Sequence, residues 1–595
     1  MKSALAAAVC LLSSPFLTAN SAFAAPPPPP AASAQQPAFD AGALLEQLNK
    51  QTLSGPALPA VAADTQPPEL FANYELVGLP EATAAHAREF LNPAVGRPVQ
   101  MTQMLKELHS YLLDKDPNAN YVFLPKKKDN KTLLIAQKVL YDGVTVESNG
   151  SNYSDEFLAA MLGYDLKPGQ PFDHDQIERN ATLLQELPGL VNQFMTKPGT
   201  LGGSSNVHLG SEQGAWYGGS VSTDNSSSFA LGQWATRGDI AEYNYFGRGD
   251  IIRLNGQLTE HSRSLGLDGS ATVHPSGTRA ALSLSEFNYD YSGGVLGKDV
   301  AGDSQQTDTR YMGTATSLGL NLSYPYLRTD DGRQNITLDL NHNWTNSRVD
   351  ITQMTTLLGT TTTNTSSAAY MLSNILVNKV SLGFNGAQAY RNGGTLNFQF
   401  SGVLGDAEQK ILGAATQDAG GAHTLGGFFK ATSSLQYSQP FQWQGERFSL
   451  SLANDIQLAS HNLVGPEEAY FGGMYRMQAW GPSAVGGAQD FYLKAQLDKP
   501  LRFLPGLVFG GFAEWGVIQP NKVAYTTSVG ANTVAADAGW KSMSDIGLAM
   551  SYNFLQNMTL TGALAEKVGD NPVINGSRLT DSSHLRGWLG LRVTY

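Results

Sequence analysis

Cysteine is nearly absent. One occurs in 595 residues, Cys10, inside an apolar stretch near the start. The rest of the chain therefore has no disulfide framework and no thiol chemistry. Charge is also scarce, at 15% of residues against the ordinary quarter. The net charge of -12 excludes the basic footprint of a nucleic-acid binder. Beyond the N-terminus no apolar run approaches the roughly 18 residues of a membrane-spanning helix. The ten histidines are scattered without metal-ligand spacing, and no nucleophile stands beside a base. We therefore expect no enzyme, no cofactor and no metal. What the chain does have is 62 glycines, 23 tyrosines and 25 phenylalanines. Low charge, much Gly and Tyr, and no long apolar run fit a transmembrane β-barrel, where only alternate residues need be apolar. A large secreted all-β protein has the same statistics.

The start reads as an export signal. Lys2 precedes the apolar "ALAAAVCLLSSPFL", and "AFA" at 22–24 is a small-x-small cleavage site, so residues 1–24 are expected to be a signal peptide. Residues 25–37 are Pro-rich and extended. Residues 38–52 read as a short helix, with Asp40 as N-cap and Leu44, Leu45 and Leu48 on one face. A linker, 53–69, follows.

Two stretches then share one order of elements. In 70–139, "FANYELVG" reads as a strand, "ATAAHAREFLNP" and "MTQMLKELHSYLLDK" as helices, "NYVFLPKKK" and "KTLLIAQKV" as strands. Residues 140–209 repeat that β-α-α-β-β order, which predicts tandem copies of one small α+β unit. His86 and His109 are expected on helix surfaces. The basic run "PKKKDNK" (125–131) is expected to be a solvated turn or a contact with an acidic partner or lipid headgroups.

From 210 to 595 the helical period vanishes and strands alternate, as in "IIRLNGQLTE", "NITLDLNHNW" and "TLNFQFSGVL". Turn dipeptides are Asp331-Gly332, Asn385-Gly386 and Asn392-Gly393. Strands of roughly ten residues span a bilayer, and about sixteen fit this length. The chain ends "LRGWLGLRVTY". Leu585, Leu589, Leu591, Val593 and Tyr595 share one parity, predicted to face lipid; Arg586 and Arg592 share the other, facing the lumen. Tyr595 would be an interface aromatic of the closing strand.

This order resembles the TpsB family, the outer-membrane transporters of two-partner secretion, which share a superfamily with barrel-assembly proteins. The likeness covers nearly the whole chain after the signal. "GSVSTDNSSSFALGQW" with "YNYFGRGDIIRLN" is similar to the family's first barrel hairpin, with Gly249-Asp250 at its turn. "AYFGGMYRMQAWGPSAVGGAQDFYLKAQLDKPL" (469–501) is similar to the signature loop that folds back into the barrel. "FAEWG" (512–516) resembles its F-x-D-x-G strand. The resemblance implies a transmembrane β-barrel of about sixteen antiparallel strands, preceded by two POTRA-like α+β domains and a plug helix at 38–52. The lumen motif would be Arg476, Gln478, Trp480, Phe512, Glu514 and Gly516. The family loop carries V-R-G-[FY], and here Gln478 holds the Arg place. Either Arg476 or Gln478 fills that role; Arg476 is expected to pair with Glu514. The implied partners are a secreted TpsA-like client, outer-membrane lipid and the barrel assembly machinery, with no nucleic acid. The implied function is export of an unfolded client bound by the POTRA-like domains. The alternative is an outer-membrane assembly factor of the same superfamily. A passive porin would lack the periplasmic repeats.

Overall fold

The computed structural model describes residues 69–116, 120–128, 131–200, 203–300, 303–356, 363–529, 532–574, 577–579, 581 and 583–595. The expected signal peptide, Pro-rich segment and plug helix, with Leu44, Leu45 and Leu48, lie outside the described residues.

The first α+β unit runs β1 (Tyr74–Val77), α1 (Glu81–Leu91), α2 (Met101–Lys115), β2 (Tyr121–Lys128) and β3 (Lys131–Lys138). Its sheet order is β1-β3-β2, with β1 parallel to β3. Apolar residues at helical spacing make the core: Ala87 and Leu91 on α1, and Met104, Leu108 and Leu112 on α2, are buried in one cluster with Phe123 and Leu134. The second unit runs β4 (Leu140–Gly150), α3 (Asp155–Leu162), α4 (His174–Gln185), β5 (Leu190–Pro198) and β6 (Ser204–Gln213). Its order is β4-β6-β5, again with the first and third strands parallel. Ser154 caps α3 by accepting from the Phe157 N–H at 3.2 Å, and Asp173 caps α4 by accepting from Gln176 N–H at 3.0 Å. The last strand of this unit continues past 209 to Gln213.

His109 departs from the expected surface position. It is half-buried, with Nδ1 2.9 Å from the Tyr121 carbonyl, and burial holds the ring below the usual histidine range. His86 is exposed. In the basic run Lys127 pairs with Glu69 at 2.6 Å, and Lys126 and Lys128 are exposed.

The barrel has sixteen antiparallel strands and is closed. They are β7 (Tyr217–Asp224), β8 (Ala235–Tyr243), β9 (Ile251–Leu258), β10 (Ser262–Thr272), β11 (Arg279–Val300), β12 (Asp303–Arg328), β13 (Gly332–Thr356), β14 (Thr363–Ala389), β15 (Thr395–Gln409), β16 (Gly426–Trp443), β17 (Glu446–Ala459), β18 (Gln489–Pro500), β19 (Leu507–Gln519), β20 (Lys541–Leu555), β21 (Met558–Lys567) and β22 (Leu585–Thr594). Helix α5 (Leu412–Ala419) lies between β15 and β16. Closure is made by β22 on β7, from Gly590↔Asp224 to Thr594↔Ser220. Tyr595 extends it, exchanging backbone hydrogen bonds with Gly219 at 3.1 and 3.2 Å. Closure leaves no lateral edge within the bilayer.

One face of each strand is apolar and exposed: Leu282 and Leu284, Leu318, Leu320 and Leu322, Leu338 and Leu340. This is the outward belt of a membrane barrel. On β22, Leu585, Leu589 and Tyr595 are exposed, and Leu591 and Val593 are half-buried on the same parity. The opposite parity faces inward: Trp588 is buried, Arg586 reaches Asp581 at 3.1 Å, and Arg592 reaches Ser220 at 3.4 Å.

Two turn assignments change. Asn385-Gly386 lies within β14 rather than at a turn, because Asn385 accepts from Asn335 Nδ2 at 3.0 Å across the ladder. Gly249-Asp250 joins β8 to β9, not the first hairpin, whose connection is 225–234. Asp250 accepts from the Phe246 N–H at 3.0 Å and shapes that turn.

The second unit docks on the barrel's turns through α4. Arg179 donates to the carbonyls of Pro325 at 2.9 Å and Ser276 at 3.4 Å. Glu186 pairs with Arg328 at 2.9 Å and Arg333 at 3.3 Å. Gly277 makes the fit possible, since a Cβ there would stand 2.8 Å from Leu183. Glu178 lies beside Asp330 of the β12–β13 turn. Burial, then the Asp330 charge, pushes its carboxyl up to about 7.

Candidate functional site: a loop held inside the barrel

The connection between β17 and β18 turns back into the barrel. Its stem is a short antiparallel pair, Ala469–Phe471 with Val485–Gly487. Two glycines turn the chain at the tip. Gly472 and Gly473 have φ of +104° and +120°, and a Cβ on Gly472 would meet the Gly481 carbonyl at 2.1 Å. Gly473 N–H donates to the Trp480 carbonyl at 3.1 Å, and Gly472 N–H to that of Arg476 at 3.1 Å. Met477 takes the left-handed φ of +53°.

The tip lies on β19, whose inward parity carries Phe512, Glu514 and Gly516, all buried. Gly516 is where the loop comes closest. A Cβ there would stand 2.6 Å from the Phe471 ring and 2.8 Å from Met477. Beside it Glu514, 2% exposed, accepts the Gln478 backbone N–H at 2.7 Å and the Tyr492 hydroxyl at 2.7 Å. Lys494 Nζ is 3.5 Å from Glu514 and 4.5 Å from the Phe512 ring centre. Further amides of the tip are taken in turn. Ala479 N–H donates to Asp545 on β20 at 3.1 Å, and Gly481 N–H to Asp581 at 2.9 Å. Trp588 on β22 donates to the Gln478 carbonyl at 2.8 Å. Trp480 is fully buried, with Lys567 Nζ 5.4 Å from its ring.

The expected Arg476–Glu514 pair is not formed. Arg476 instead pairs with Asp490 on β18 at 2.5 Å and approaches Asp455 on β17 at 3.5 Å, over the rings of Tyr492 and Phe471. The reason is the reversal at Met477, which places Gln478 on Glu514 and leaves Arg476 facing the neighbouring strands. The Gln478 side chain adds only a 3.4 Å contact from its Nε2 to Glu514.

Sequence reasoning missed the root of this loop. Glu467 is fully buried between Lys379 on β14 and Lys430 on β16, each at 2.8 Å. Its carbonyl accepts from Lys430 Nζ at 3.0 Å and Gln457 Nε2 at 3.1 Å. The only local signal is the "EE" of "GPEEAY". Among the described residues, no three metal-ligating side chains gather as a metal site.

No curated protein matches this sequence. Among solved structures, CdiB from Escherichia coli superposes with a TM-score of 0.59 at 16% identity, over 93% of this chain and 97% of that one. CdiB from Acinetobacter baumannii gives 0.58 at 15% identity, over 93% and 96%. These likenesses extend the fold over both α+β units and the barrel. The model of the haemolysin secretion/activation protein family ShlB/FhaC/HecB matches residues 203–519, more than half of the chain, and covers the infolded loop and β19. The chain therefore belongs to this family of outer-membrane β-barrel transporters of two-partner secretion, with its POTRA-like units in the periplasm.

Proposed function

We propose that this protein binds an unfolded client in the periplasm through its two POTRA-like units and exports it through the barrel, where the client folds outside. The observation that carries this reading is the second unit's attachment. Its α4, with the Glu186 that follows it, is fixed to two barrel turns, while β4 remains an edge strand, paired within its sheet only with β6. An edge held beside the pore entrance suits capture of an extended chain by strand addition, which uses main-chain hydrogen bonds and tolerates many sequences. The plug role of 38–52, the lipid contact of the outward belt and insertion by the barrel assembly machinery belong to the same reading. The lumen motif around Gln478 and Glu514 would hold the loop as the client passes.

The experiment is deletion of the gene, with comparison of outer membranes and culture fluid. The reading expects one large secreted protein to vanish while other barrels keep their levels. A general fall in outer-membrane barrels would instead make this chain an assembly factor. Removing residues 140–205 is expected to leave the protein in the outer membrane and abolish export.

A further inference from the structure

The second periplasmic unit is anchored on the barrel through α4 and Glu186, and the first unit hangs from the second at Val139 and Leu140. Val139 is held from both sides. Its N–H donates to the Asn120 carbonyl of the first unit at 3.0 Å, and its carbonyl accepts the Phe172 N–H of the second at 2.8 Å. Its side chain is buried in the second unit's core, and Val122 of β2 packs against that same cluster. The joint is therefore a small packed interface and not a free linker.

Two histidines meet in this joint, one from each unit. His109 on α2 lies on β2, its Nδ1 2.9 Å from the carbonyl of Tyr121, the residue before Val122. His174 is the first residue of α4, directly after the cap Asp173. It is 7% exposed, and its ring stands edge-on to Phe172 with 5.4 Å between centres. It lies near enough to His109 for the charge of one ring to act on the other. His174 Nε2 is buried without a hydrogen-bond partner.

Neutral rings fit here and charged ones do not. A protonated imidazole is a donor at both nitrogens, and the buried Nε2 faces no acceptor. His174 also stands at the N-terminus of α4, where the unpaired N–H groups of the first turn oppose a cation. Asp175 and Asp173 beside it favour the charged form, and His109 across the joint opposes it. On His109 the Tyr121 carbonyl favours the charged form. Burial is the largest influence on each ring and holds both below the usual histidine range.

We propose that His109 and His174 make the joint an acid-sensitive hinge: once protonated, the two rings no longer share it, and the first unit is released while the second stays docked on the barrel. The sign follows from the burial. A base held below its ordinary value, about 6.5 for histidine, stabilises the closed joint above that value. The contribution is lost as pH falls through the lowered one. Docking on the barrel moves the other way, because acid protonates Glu178 beside Asp330. Acidification thus frees one unit and tightens the hold on the other.

The test uses full-length transporter in lipid discs, spin-labelled at pairs of introduced cysteines. Cys10 is the only native cysteine, and it lies in the expected signal peptide. Lys106→Cys on α2 with Ala160→Cys on α3 reads the joint. Ala160→Cys with Arg391→Cys, in the turn between β14 and β15, reads the docking. The expected result across the joint is one narrow distance at pH 8 and a broad distribution reaching longer distances at pH 5. Its midpoint should lie below about 6.5. The docking distance should stay narrow at both. His174→Gln, and His174→Phe, which keeps a ring against Phe172, should each hold the joint narrow at pH 5. A joint equally narrow at both pH values would overturn the proposal. So would broadening that survives in both His174 variants, or broadening of the docking distance alongside that of the joint.

Discussion

The infolded loop is held at its root and at its tip by opposite means. At the root, a full charge is locked between two others: Glu467, wholly buried, stands 2.8 Å from both Lys379 and Lys430. At the tip, Arg476 goes to Asp490 on β18, and no cation of the loop touches β19. Glu514, Asp545 and Asp581 instead take the backbone N–H groups of Gln478, Ala479 and Gly481. A main-chain amide is present whatever residue is there, so the tip keeps its attachment although the family's arginine place holds glutamine. At the root the Glu467 carbonyl also accepts from Lys430 and Gln457, but the charge that holds it is balanced only by side chains of β14 and β16. Sequence change is therefore cheap at the tip and costly at the root.

The largest effect is expected from Glu467→Gln. It keeps the shape and leaves two buried lysines facing each other with no counter-charge. Breaking a buried pair in this way costs about 3–5 kcal/mol. The heat-induced mobility shift of the barrel should fall to lower temperature, and the loop should become open to protease. Adding Lys379→Met and Lys430→Met should recover much of the loss, since an apolar cluster of similar volume needs no charge. No recovery would mean that the root holds by shape rather than by charge.

Glu514→Gln comes next. The amide can still accept the Tyr492 hydroxyl, but its NH2 group then faces the Gln478 N–H or Lys494. Loss of hydrogen bonds to a charged group costs about 1.5–3 kcal/mol. The same protease assay should show release of the tip with the root still held. An effect equal to that of Glu467→Gln would erase the difference between the two anchors.

How much of this was legible beforehand depended on how local the signal was. Period-two alternation is local, and the barrel, its sixteen strands and the β22 facing of Leu589 against Arg592 follow from it. The repeated β-α-α-β-β order likewise came from helical spacing such as Leu108 and Leu112 on α2. The Arg476–Glu514 pairing failed because it turns on one backbone angle, the left-handed φ at Met477, which no side-chain pattern announces. The Glu467 triad was hidden because its partners lie 88 and 37 residues away. Asn385-Gly386 misled for the reverse reason. A lumen-facing strand tolerates Asn and Gly, so a turn dipeptide there is only a polar stretch of wall. The length of β11–β14 was also hidden, since the Thr-rich segment after Ile351 alternates too weakly to mark its own strands.

A third attachment, outside the membrane, sharpens the contrast because it responds to pH. Glu178 on α4 has its carboxyl raised to about 7 by burial and by Asp330. Its ordinary value is about 4.3. A raised acid favours the folded arrangement fully below the ordinary value, and that contribution is lost as pH rises through about 7. Protection of the α4 amides, taken relative to the intrinsic exchange rate at each pH, should therefore be greater at pH 5 than at pH 8. Glu178→Gln should flatten that difference, whereas the loop's root and tip should show no matching change. A pH response that survives in Glu178→Gln would place the titrating group elsewhere.

The smallest effect is expected from Gln478→Ala, although this position lies at the centre of the recognised motif. The substitution removes one long contact, 3.4 Å from Nε2 to Glu514. It leaves the N–H on Glu514 at 2.7 Å and the carbonyl on Trp588 at 2.8 Å. The acceptor is a carboxylate, but a contact as long as 3.4 Å lies beyond the ordinary N–H···O range and is worth less than about 1 kcal/mol. The buried carboxylate keeps Tyr492 and Lys494 as partners, so no unpaired charge is created. Protease resistance of the loop and the heat-induced mobility shift should both stay near those of the parent protein. If Gln478→Ala instead matches Glu514→Gln, the side chain and not the main chain holds the tip. The loss of the family's arginine would then be a real weakening, and Gln478→Arg should tighten the loop beyond its present state.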